Sequence, residues 1–63
     1  MSVLEFIPED LRTAEKQEEF LQWLRLLPAP LYVKKYLLLD WTEHTDVKMT
    51  KELAEAVGIP LQI

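Results

Sequence analysis

The sequence contains no cysteine, and glycine, histidine and serine occur once each. Without cysteine the chain cannot form a disulfide, and its one histidine, His44, is too few for the usual zinc sites. With Gly58 as the only glycine, a glycine-rich phosphate-binding loop is excluded. These absences leave few side chains for covalent or metal chemistry. We therefore expect a protein that is not an enzyme and that binds no metal and no cofactor.

Long apolar runs are also missing. Uninterrupted ones cover residues 31–33 and 37–39, the latter extended to four residues by Tyr36, far short of the roughly 20 residues that span a bilayer. The first residues lack the basic segment and following apolar run of a secretory signal. We expect a soluble, cytoplasmic protein with no membrane partner.

The charge is acidic, with 11 acidic residues against 7 basic ones and a net charge of −4. Such a balance repels the phosphate backbone of nucleic acids over most of a surface. A nucleic-acid partner is therefore not expected, whereas a protein partner with a basic surface is compatible with this charge.

The chain is rich in apolar residues, which make up 49% of its 63 residues. A domain of this size buries only about 60% of the surface that its unfolded chain exposes. We expect residues 1–63 to form a single helical domain whose apolar surplus is covered by a second copy, in a homo-oligomer.

Prolines divide the chain into helical segments. Pro8 and the acids after it are typical of a first helical turn, and Pro28 ends the segment. Helical spacing is clearest in its second half, where the apolar positions are Phe20, Leu21, Trp23, Leu24 and Leu27. Between Arg12 and Glu19 apolar residues are scarce, so the first half is predicted to be solvated, bent near Thr13 or covered by another chain.

A second helix is predicted over residues 31–44, after Pro30, and it is apolar on most of its circumference. Such a helix is normally buried on several sides. Because one small chain offers few neighbours, we predict an oligomer interface on this helix formed by Tyr32, Tyr36, Leu38 and Trp41. A strand over residues 32–39 is the alternative, although the pair Lys34 and Lys35 breaks its alternation.

A third helix is predicted over residues 51–57. Thr50 is a good N-cap, Gly58 suits a left-handed C-cap, and Ile59 is placed to fold back on the last turn. Apolar residues alternate loosely in residues 3–7 and 59–63. These ends are compatible with a short two-stranded ribbon or with docked or frayed termini.

Residues 49–59 resemble the first helix and turn of helix-turn-helix DNA-binding domains. The resemblance lies in Ala54, in Gly58 four residues later and in the apolar Ile59. In that family a recognition helix follows and enters the major groove. Only residues 60–63 follow here, too few for that helix, so the resemblance implies a partial or degenerate nucleic-acid binder.

An acidic stripe on the first predicted helix is the main candidate for partner binding. It comprises Glu15, Glu18 and Glu19. Tryptophan and arginine are enriched among interface hot spots. We therefore predict a partner-binding surface formed by Glu15, Glu18, Glu19, Trp23, Arg25 and Leu26.

One group of side chains has the spacing of helical metal ligands. Asp40, Glu43 and His44 lie at i, i+3 and i+4 on the second predicted helix. A polar helix end accounts for the same residues, because a histidine near a helix C-terminus interacts favourably with the helix dipole.

Taken together, these patterns predict an all-α, three-helix domain that acts as a non-enzymatic protein–protein interaction module. An adaptor, a regulator or an inhibitor of a larger assembly fits this description, and the module is expected to self-associate. The alternatives are the partial helix-turn-helix binder and a small metal-dependent enzyme subunit built around Asp40, Glu43 and His44.

Overall fold

The computed structural model describes residues 4–60, and the predicted all-α class with three helices is confirmed. Three short 3-10 turns precede the helices, at Leu4–Phe6, Glu9–Leu11 and Ala14–Lys16. The α-helices are α1 (Gln17–Leu26), α2 (Leu31–Thr45) and α3 (Lys51–Ala56). None of the helices within residues 4–60 is both long enough and apolar enough to cross a membrane.

The ribbon, one of the two alternatives for the termini, is not found in the part that the structure describes. Leu4–Phe6 forms a 3-10 turn instead of extended chain, and residues 4–60 contain no strand. Residues 3 and 61–63, which complete the two predicted strands, lie outside the described range. The alternative of a strand within residues 32–39 is also wrong, because this segment belongs to α2.

The first helix begins later than the proline and acid pattern predicts. Residues 9–16 form two separate 3-10 turns, and Thr13 between them has the extended angles φ −128° and ψ 154°. Few apolar side chains are available between Arg12 and Glu19 to hold a helix against the core. Since packing of an apolar face supplies most of the stability of short helices, the α-helix starts only at Gln17.

The Arg12 side chain forms hydrogen bonds with the backbone of the first N-terminal turn and of Ile7. The Arg12 guanidinium donates from Nε to the carbonyl oxygen of Ile7 at 2.9 Å and from Nη2 to that of Glu5 at 3.2 Å. Ile7 itself is fully buried. Arg12 therefore satisfies two backbone acceptors while the chain turns around the buried Ile7 side chain.

The core is centred on Trp41 of α2. Its ring stacks on Phe20 of α1, with the ring centroids 4.5 Å apart and the planes within 5°. Its indole nitrogen donates a buried hydrogen bond to the carbonyl oxygen of Leu11 at 2.6 Å. One side chain thus connects α2, α1 and the N-terminal turns.

The predicted oligomer interface is corrected at two of its four positions. Leu38 and Trp41 are each 0% exposed within the single chain, so they form its core and are not available to a second copy. Tyr32 and Tyr36 remain exposed, because α2 contacts the core through its other side, at Leu37, Leu38 and Trp41.

The ends of α2 and α3 have related caps. Asp46 adopts a left-handed conformation (φ 60°), and the amide of Val47 donates to the carbonyl oxygen of Thr42 at 3.1 Å. Aspartate tolerates this conformation better than most residues. The Asp46 turn therefore ends α2 without a glycine and returns the chain towards α3.

The predicted caps of α3 are confirmed. The Thr50 hydroxyl accepts from the amide of Leu53 at 3.1 Å, and Gly58 has a φ of 76°. The amide of Ile59 donates to the carbonyl oxygen of Ala54 at 2.9 Å, and the Ile59 side chain is buried. This pattern of bonds is that of a Schellman motif with its hydrophobic contact.

We predict that Trp41→Phe destabilises the fold by about 1–3 kcal/mol, because it leaves the buried Leu11 carbonyl without its donor. The matched control is Trp23→Phe, since Trp23 is half-buried and stacks on the same Phe20 at a longer 5.9 Å. For the control we expect a change below about 1 kcal/mol. Urea unfolding followed by circular dichroism measures both. Equal midpoints for Trp41→Phe and wild type would contradict the role of this hydrogen bond.

Candidate interaction surfaces

An apolar face of α2 points away from the core. Tyr32, Tyr36 and Leu39 lie at i, i+4 and i+7, which places them on one side of the helix. Their exposed fractions are 66%, 59% and 37%. The buried residues Leu37 and Trp41 lie on the opposite side. We call Tyr32, Tyr36 and Leu39 the outer face of α2.

Two opposite charges flank this outer face. Lys35 precedes Leu39 by four residues, and Glu43 follows it by four residues. Both side chains are exposed. On a helix, positions four residues apart lie on the same side, one turn above or below each other. The outer face therefore has a positive charge near its N-terminal end and a negative charge near its C-terminal end.

The C-terminal half of the outer face borders an open depression of about 540 Å³. It lies where the chain turns back after α2. Its lining includes Tyr36 and Leu39 of the outer face and, on the far side, Thr42, Glu43, Asp46, Val47 and Met49. The outer face therefore has Tyr32 at its N-terminal end and, from Tyr36 onward, a concavity at its C-terminal end.

A second surface is an apolar groove of about 330 Å³ beside the connection of α1 to α2. The amide of Ala29 donates to the carbonyl oxygen of Leu27 at 2.8 Å, which makes a tight turn between the two helices. Phe6 is 68% exposed and stands at the groove although it is distant in sequence. The residues lining it are all apolar: Phe6, Trp23, Leu27, Pro28, Ala29, Val33 and Leu37. We call this set the apolar groove.

The structure separates the predicted partner-binding residues into two groups. Trp23 is half-buried and lines the apolar groove. The other five are exposed on α1 or on the turn before it, namely Glu15, Glu18, Glu19, Arg25 and Leu26. Leu26 is 74% exposed, the highest value among the large apolar side chains of residues 4–60.

The acidic stripe formed by Glu15, Glu18 and Glu19 is partly neutralised. Lys16 Nζ lies 3.6 Å from a carboxylate oxygen of Glu19, and both side chains are well exposed. An exposed ion pair of this kind contributes little to stability. Its main effect is to leave Glu15 and Glu18 as the stronger negative positions for a basic partner.

The possible metal ligands do not come together as a site. Glu43 and His44 are exposed and Asp40 is half-buried. Within residues 4–60, no three histidine, cysteine or acidic side chains form a group that could hold a metal ion. His44 lies in the last turn of α2, where an interaction with the helix dipole accounts for its position.

Sequence reasoning missed Phe6 and Leu39. Phe6 is an aromatic residue in an apolar segment, where burial is the ordinary expectation. Leu39 lies in a run of three leucines, in which periodicity cannot tell a core position from a surface position. Only the packing of the other helices on one side of α2 reveals which leucine is exposed.

Comparison of the chain with protein-family models, curated proteins and solved structures gives no match. The function is therefore inferred from the three surfaces themselves. Two of them are apolar and one is acidic.

We predict that His44→Ala leaves function intact and changes stability by no more than about 2 kcal/mol, the upper range for a histidine at a helix end. Isothermal titration with zinc and with manganese, on wild type and variant, is the direct check. Stoichiometric binding to wild type that disappears in His44→Ala would show a metal site and contradict this prediction.

Proposed function

We propose that the chain is a non-enzymatic protein–protein interaction module that self-associates and acts as an adaptor, a regulator or an inhibitor of a larger assembly. The observation that carries this proposal is the outer face of α2. Tyr32, Tyr36 and Leu39 form an apolar surface on the longest helix of residues 4–60, and the core contacts of the same helix are complete without them.

Exposed apolar side chains scattered singly are normal, whereas contiguous ones mark a contact surface. Tyrosine is enriched at interfaces because its ring is apolar while its hydroxyl tolerates water. The outer face combines two tyrosines with a leucine on adjacent helical turns. These features support its use in binding protein.

The apolar groove supports a second contact, with a partner of different sequence. Its volume of about 330 Å³ is at the lower end of ligand-sized pockets, and its lining has the apolar character of an anchor site. A single large apolar side chain of a partner fits such a site. The acidic stripe on α1 then favours a partner with basic residues around that anchor.

The two alternative functions lack comparable support. Ala54, Gly58 and Ile59 have the burial and turn geometry of a capped helix, which is common in helical proteins of any function. Asp40, Glu43 and His44 are accounted for as a polar helix end. The interaction module is therefore the one function that we propose.

Self-association is tested by sedimentation velocity over a hundredfold dilution series. We expect a mass near twice 7.4 kDa at the higher concentrations. Tyr36→Asp should shift the protein to the single-chain mass, because it places a charge on the outer face. The matched control is Leu26→Asp, an exposed apolar residue on α1, which should behave like wild type. A wild-type monomer at every concentration would contradict self-association.

Partner binding is tested by kinetics with a partner isolated by affinity capture from the native cell. Reversing Glu15, Glu18 and Glu19 to lysine should slow association, because charges at an interface rim steer encounters. Phe6→Ser should instead speed dissociation, because it removes an apolar wall of the groove. Gln22→Ala, an exposed neutral position on α1, is the control. Wild-type rates in both test variants would contradict these surfaces as partner sites.

A further inference from the structure

We infer that the outer face of α2 binds the same face of a second copy, with the two helices antiparallel and a two-fold axis passing beside Leu39. This inference rests on the proposed self-association and goes beyond it, because it specifies the orientation, the register and the residue pairs of the interface.

The charges select the orientation. An antiparallel pair centred on Leu39 places Lys35 of each copy at the level of Glu43 of the other, since each lies four residues from the centre. Two opposite-charge pairs form, one at each end. A parallel pair would instead place Lys35 against Lys35 and Glu43 against Glu43, and like charges across an interface are unfavourable. The charge pattern is therefore self-complementary only in the antiparallel orientation.

The shape of the face selects the same register. In this arrangement Tyr36 of one copy lies level with the buried Thr42 of the other, and Tyr32 lies level with the exposed Asp46. Thr42 and Asp46 line the open depression of about 540 Å³ at the C-terminal end of α2. Tyr32 of each copy therefore faces the concavity of the other at Asp46. A two-fold interface requires this relation, in which the same patch supplies both halves of the contact.

The proposed contact is small, so we expect a low affinity between the two copies. A helix of fifteen residues is about 22 Å long at 1.5 Å per residue, and the contact involves only three of its apolar side chains. Such an interface falls at the lower end of the sizes found in specific complexes. We expect a reversible dimer, whose weak affinity makes it sensitive to the two charge pairs.

Charge reversal tests the orientation. Lys35→Glu alone and Glu43→Lys alone should each weaken the dimer about tenfold or more, because two attractive pairs become repulsive. The double variant Lys35→Glu/Glu43→Lys should restore wild-type affinity, since the pairs are only exchanged. A mixture of the two single variants should form a heterodimer. Sedimentation measures all of these, with circular dichroism confirming that each variant is folded.

Cysteine cross-linking tests the register, and the absence of native cysteine makes each introduced thiol unique. Leu39→Cys lies beside the axis and should form a disulfide-linked dimer on mild oxidation. Lys35→Cys alone should not, because its two copies lie about 12 Å apart along the helices, beyond the distance that a disulfide bridges. A mixture of Lys35→Cys and Glu43→Cys should cross-link the two different variants.

The outcomes separate this inference from the proposed function. A dimer that is insensitive to Lys35→Glu, or in which Lys35→Cys cross-links to itself, overturns the antiparallel arrangement while self-association stands. A chain that is monomeric at every concentration overturns both. Restoration by the double charge variant together with the mixed cross-link supports the inference.

Discussion

The stacked contact between Trp41 and Phe20 is the interaction on which the rest of the structure depends. The two rings are parallel and fully buried, and the indole of Trp41 also donates to the backbone of Leu11. A buried indole needs such a partner, because an unpaired N–H in an apolar interior is costly. The hydrogen bond therefore fixes which side of α2 faces inward, and so also which side faces out.

That orientation decides which side chains of α2 stay exposed. Here α1, α3 and the N-terminal turns provide one core, on the side of Leu37, Leu38 and Trp41. Tyr32, Tyr36 and Leu39 are left outside it. The exposed face is thus a consequence of how α2 packs within residues 4–60, and the proposed self-association covers it.

The helix boundaries that could be predicted are those set by the backbone geometry of single residues. Pro30, Thr50 and Gly58 set helix boundaries through their own backbone geometry, and the structure has α2 and α3 where these residues predict them. Pro8 was misleading because a proline followed by acids also suits a 3-10 turn. The longer α-helix needed an apolar face that residues 12–19 do not provide.

The parts that could not be predicted depend on contacts between distant segments. An evenly apolar helix contains no periodic signal for its inner side, so Leu38 and Trp41 could not be told from Tyr32 and Tyr36. The apolar groove brings Phe6 together with residues of α1 and α2 that lie far along the chain. Neither surface has a sequence motif, and both become visible only when the helices are packed.

The most direct measurement of the central claim is an isotope-filtered nuclear Overhauser experiment on an equal mixture of labelled and unlabelled chains, which detects only contacts between copies. The account predicts contacts between the Leu39 methyl groups of the two copies, and from the Tyr32 ring of one copy to the methylene group of the exposed Asp46 of the other. Contacts between copies that involve only the apolar groove, or no such contacts at concentrations where the mass is that of a dimer, would contradict it.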